Sequence, residues 1–80
     1  MTLERIRDLD QVYKSTEGHI VEWRSPQGER YRYERDRAAV GKELDWDRHS
    51  GWRYEWHVLE KNDLTTAKRR VFNLINEDEL

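Results

Sequence analysis

The sequence predicts an α+β domain: a three-stranded antiparallel sheet with N- and C-terminal helices packed on one face, in the order α-β-β-β-α. Three observations point there. Apolar residues recur at helical spacing near both ends, three central segments alternate rings with charges, and short turn signals separate them. Eighty residues make a single domain, expected over residues 1–80 with an acidic, frayed end from about residue 77. A chain of that size buries only about 60–65% of the surface its unfolded form exposes, so every large side chain counts. Four Trp, four Tyr and one Phe supply much of the available apolar mass. They favour a folded chain over a disordered one, although 40% of the residues are charged.

Residues 2–13, TLERIRDLDQVY, read as the first helix, with Thr2 as N-cap and Leu3, Ile6, Leu9 and Tyr13 along one side. Asp10 interrupts that side, which allows the helix to stop early and leave Gln11 to Lys14 extended. HIVEWR (19–24) is β-branched and aromatic, a strand by composition. SPQG (25–28) suits a type I turn, with Pro26 second and Gly28 fourth. RYRYERDR (30–37) opens the returning strand of that hairpin. Residues 36–50 are the hardest to place: a short helix over 37–44 is preferred there to another strand. WRYEWHVLEK (52–61) is the third strand. Residues 62–76 form the last helix, capped by Asn62 or Asp63, with Leu64, Ala67, Val71, Leu74 and Ile75 as its apolar stripe.

Strand parity then assigns faces. Val21 and Trp23, Tyr31 and Tyr33, and Trp52, Tyr54, Trp56 and Val58 are expected on one aromatic side, covered by the helices. Arg24, Arg30, Arg32 and Arg53 are expected opposite, interleaved with Glu22, Glu34 and Glu55 as a nearly neutral ladder. Arg69 and Arg70 project from the last helix away from the sheet, so the two arginine groups form no common patch.

The formal charge of −2 lacks the strong basic excess of a dedicated nucleic-acid binder. Without cysteine there are no disulfides or thiolate metal sites, and His19, His49 and His57 match no common ligand spacing. Glu22, Glu34 and Glu55 lie flat beside arginines, with no pocket to raise a pKa for acid–base work. Ser15, Ser25 and Ser50 stand at turns without an activating base. No enzyme, metal or cofactor is therefore expected. No apolar run reaches the length of a signal core or membrane span, and a cytoplasmic chain without membrane contact is expected. The terminal NEDEL is read as solvated chain, because a retention signal of KDEL type acts only after a signal peptide.

What remains is a non-catalytic interaction module whose partner is another macromolecule, a protein before a nucleic acid. Trp46, set between Asp45 and Asp47, is either a plug closing one end of the core or an anchor for a partner. Arg24, Arg30, Arg32 and Arg53 on the sheet, and Arg69 and Arg70 on the helix, are the accompanying contact candidates. Binding of nucleic acid through the sheet arginines is the second reading, weakened by the interleaved Glu residues. An exposed edge strand also leaves homodimer formation open.

Overall fold

The computed structural model describes residues 2–78 and contains a five-stranded antiparallel sheet followed by one helix. The strands are β1 (Asp10–Lys14), β2 (Ile20–Arg24), β3 (Arg30–Glu34), β4 (Ala39–Asp47) and β5 (Gly51–Val58), and α1 runs Leu64–Asp78. The order in space is the order in the chain, β1-β2-β3-β4-β5, so every connection is a hairpin. The α+β class and the antiparallel sheet hold, whereas three strands between two helices do not.

The N-terminal helix is the first correction. Only a single 3-10 turn forms, Ile6–Asp8, with the Asp8 carboxylate accepting the Arg5 N–H at 3.2 Å. The chain then extends, and Asp10 to Lys14 pair with β2. Asp10 breaks the apolar arc, and the ring and β-branch at Tyr13 and Val12 favour a strand once a neighbour is available. Residues 36–50 are the second correction: no helix forms over 37–44, and β4 bridges β3 and β5. Its first third, Ala39, Val40 and Gly41, is buried on both faces, so it shows no alternation to read.

The other elements agree with the sequence to within a few residues. The Gly28 N–H closes the SPQG turn on the Ser25 carbonyl at 2.9 Å. Asp63 caps α1 by accepting the Thr66 N–H at 2.7 Å. Its carboxyl is held below the ordinary range, first by that bond. Asn62 instead ties the helix entry to the sheet, accepting from the Tyr33 hydroxyl at 2.8 Å and donating to the Arg35 carbonyl at 2.9 Å. α1 continues through Glu77 to Asp78, past the point where fraying was expected; Glu79 and Leu80 lie outside the described residues.

Val21, Trp23, Tyr31, Tyr33 and Val40 form the sheet side of the core, against Ala67, Val71 and Ile75 of α1. Leu3, Leu9, Leu64 and Leu74 close its margins, and Asn76 clamps Leu3 by accepting its N–H at 2.7 Å and donating to its carbonyl at 3.0 Å. A helix is about 10 Å wide and strands are about 4.8 Å apart, so one helix covers about two strands. α1 accordingly packs against β3, β4 and the 3-10 turn.

Candidate functional site

Cross-strand partners share a face, so the register shows where each side chain goes. Val40 stands opposite Tyr33 on one side and His57 on the other. His57, Glu55 and Arg53 therefore lie on the helix side of β5, and Trp52, Tyr54, Trp56 and Val58 lie on the open side. This reverses the expected face of the third sequence-predicted strand. Its alternation was read correctly, but its rings point away from the core. Leu59, of His57 parity and 6% exposed, is the residue that joins the core.

The same open side carries Glu22, Arg24, Arg30, Arg32 and Glu34, through the pairs Glu22↔Arg32, Arg24↔Arg30 and Arg32↔Gly41. Gly41 in turn faces Trp56. The indole lies across this glycine so closely that a Cβ there would come within 2.8 Å of two ring carbons. A ring covering a strand glycine is a known way of holding register. Tyr54 sits beside it, ring centres 5.1 Å apart. Burial lifts the Tyr54 hydroxyl pKa above its usual value; Arg32 pulls it down and Glu43 pushes it up.

Trp46 joins these rings through a β-bulge. Simple alternation from Val40 would send Trp46 to the helix side, as a plug for the core. Between Glu43 and Asp45 the register shifts by one residue, leaving Leu44 unpaired and 52% exposed. Asp45 then faces Arg53 and Trp46 faces Trp52. The two indoles meet edge to face with centroids 5.8 Å apart. At 62% exposed, Trp46 is no plug. The tip beyond it is set by Asp47, whose Oδ1 accepts the N–H groups of His49 and Ser50 at 2.7 and 3.3 Å.

Charge runs alongside the rings as an alternating chain. Arg30 reaches Glu22 at 3.6 Å, Glu22 binds Arg32 at 2.7 Å, Arg32 binds Glu34 at 2.7 Å, and Glu34 binds Arg37 at 3.1 Å. Arg37 completes it with its guanidinium 4.1 Å above the Trp56 ring. Burial pulls the Arg32 pKa down, but the bonds it donates to Glu34 and Glu22 prevail and raise it. Arg32 is thus committed to two carboxylates. Arg30, at the end of the chain and with a side chain 43% exposed, keeps donors to spare. Arg24 is exposed and meets no carboxylate at ion-pair distance among the described residues.

The structure brings Trp46, Arg24, Arg30 and Arg32 together on one face. Arg53 does not join them. It lies on the helix side, held by Asp45 through two bonds of 2.6 and 2.7 Å. Arg69 and Arg70 stand on α1, across the sheet from the open face. Trp52, Tyr54, Trp56 and Arg37 share this face, though the expectation from sequence was that the rings join the core, and Arg37 was left aside. One signal for them is present in the sequence: Gly41 offers a flat seat that only a large ring opposite it would fill.

An open cleft of about 480 Å³ lies on this face, lined by Glu22, Arg30, Arg32, Glu43, Trp52 and Tyr54. A larger groove of about 530 Å³ runs past His19, Glu34 and Arg35 beside the β1–β2 turn. Among the described residues no three of His, Asp and Glu converge as metal ligands, and no helix is long and apolar enough to cross a membrane. Compared with known protein families, curated proteins and solved structures, the chain finds no match in any of the three.

Proposed function

We propose that this chain is a non-catalytic binding module, acting in the cytoplasm, whose contact surface is the open sheet face and whose partner is another protein. The supporting observation is that Trp46, Trp52, Tyr54 and Trp56 share one uncovered face with Arg24 and Arg30. Half-exposed indoles are poor surface residues unless a partner covers them, and Trp, Tyr and Arg dominate protein hot spots. The neighbouring pair Arg24 and Arg30 suits a partner that offers carboxylates beside an apolar ridge.

A second reading has its own support. Rings on a sheet beside arginines are the arrangement on which single-stranded nucleic acids stack. Against it stand Glu22 and Glu34, which occupy Arg32 and Arg37 and leave little uncompensated charge to release counterions.

One experiment separates the two. Wild-type chain and a Trp46→Ala/Trp52→Ala variant are used to capture partners from the native host, with and without nuclease. A protein retained by the wild type after nuclease and lost by a folded variant supports the reading. Equal retention by the variant removes it. Loss on nuclease treatment, with binding of single-stranded oligonucleotides that falls steeply with salt, transfers the face to nucleic acid.

A further inference from the structure

The two edges of the sheet are protected very differently. β1 is five residues long and carries a bulge between Gln11 and Tyr13, both features that discourage pairing with another strand. β5 is eight residues long and its register irregularity falls on β4 instead, so its outer edge is a regular row of backbone donors and acceptors. α1 packs under β3 and β4, and the chain leaving β5 turns inward, the Leu59 N–H bonding the Ala38 carbonyl at 2.9 Å. Neither element covers that edge.

We infer that the β5 edge pairs with the β5 edge of a second copy, antiparallel about a two-fold axis through Tyr54, to make a continuous ten-stranded sheet. Antiparallel pairing keeps like faces together, so the axis must pass through a residue facing its own counterpart. An axis at Arg53 sets Arg53 against Arg53, and one at Glu55 sets Glu55 against Glu55, both repulsive. An axis at Tyr54 sets Arg53 against the second copy's Glu55 twice and Trp52 against the second copy's Trp56 twice. Tyr54 then meets Tyr54 at the centre. The charges are ready for it. Asp45 takes the Nε and Nη2 of Arg53, leaving Nη1 to donate; Glu55 has Oε1 at 3.1 Å from His57 Nε2, which leaves Oε2 to accept, and its side chain is 59% exposed. The pairing rests on the backbone edge and on Arg53 and Glu55, which lie on the helix side, so it stands whether or not the open face binds a partner.

Sedimentation equilibrium of the intact chain reads this directly: the mass should climb from 9.9 kDa towards twice that value as concentration rises. Glu55→Arg puts cations in front of Arg53 and should move the midpoint to about tenfold higher concentration. The chain has no cysteine, so single cysteines report the register without background. Tyr54→Cys should cross-link to its counterpart under mild oxidation. Trp52→Cys should not, because two residues 52 would lie about 14 Å apart, beyond disulfide reach. A mass that stays monomeric at every concentration overturns the inference. So does cross-linking of Trp52→Cys as readily as Tyr54→Cys, or a dimer that cross-links through Tyr13→Cys on β1 and not through Tyr54→Cys.

Discussion

The β2–β3 and β4–β5 hairpins carry the same kind of sequence, yet they place their rings on opposite sides of one sheet. In the first, Trp23, Tyr31 and Tyr33 are at most 3% exposed beneath α1. In the second, Trp46 and Trp52 are more than half exposed, and the helix side of β5 carries Arg53, Glu55 and His57. Alternation specifies that a strand has two faces; only the covering element decides which face is the core. With one helix for five strands, the cover runs out before β5.

The largest effect expected from this difference is in stability. Trp23→Ala should cost about 3–5 kcal/mol, a large part of the roughly 4–12 kcal/mol available to a domain of this size. Trp52→Ala loses an exposed ring and one edge-to-face contact, and should cost about 1 kcal/mol. Urea unfolding of both variants measures the gap. Equal losses would mean that the β4–β5 rings belong to a second core.

Gly41→Val sharpens the comparison where the two hairpins touch. The new side chain would meet the Trp56 ring, and the expected cost is about 1–3 kcal/mol. It should come with a red-shifted tryptophan emission as Trp56 lifts from the sheet. An unshifted spectrum would show that the ring has room to slide and that the glycine is incidental.

Acid titration gives the smallest effect. The Asp45 carboxyl, at the β4–β5 tip, is held below its ordinary range first by the hydrogen bonds from Arg53. Asp63, at the start of α1, is lowered first by the Thr66 N–H. A lowered folded value means that each contribution is fully present above the ordinary aspartate pKa of about 3.9 and disappears as pH falls through the folded value. NMR titration should place both midpoints below about 3.9. A midpoint at or above that for Asp45 would mean that its fork with Arg53 does not persist in solution.

Much of the covered half was legible from residues alone. The β2–β3 hairpin, its SPQG turn, the Asp63 cap and the stripe Ala67, Val71 and Ile75 follow from local chemistry that tertiary packing leaves unchanged. Arg24, Arg30 and Arg32 were placed on their true face for the same reason. Elsewhere only part was legible: β5 and the extended course of Gln11 to Lys14 were open to the residues, but β4 and the face of β5 were not. Val12 and Tyr13 are extended only because β2 lies beside them. Ala39 to Gly41 are small because both sides are filled, which removes the period that would mark a strand. The bulge at Leu44 inverts the parity by which Trp46 would be read, and the residues around it carry no sign of it. Arg53 was misplaced with the rings of its own strand, since one wrong face carries every residue of that strand with it.

That bulge also makes the tip an adjustable arm. Inserting a residue elsewhere in β4 would exchange inside for outside at every position out to the turn. Leu44 has no cross-strand partner, so deleting it would leave Asp45 against Arg53 and Trp46 against Trp52. The added bend and twist of a bulged strand would go with it. A change of one residue at position 44 would thus alter where the Trp46–Trp52 pair is aimed without altering what it consists of. Of all positions in the hairpin, this is where a descendant could redirect these two rings at the least risk to its fold.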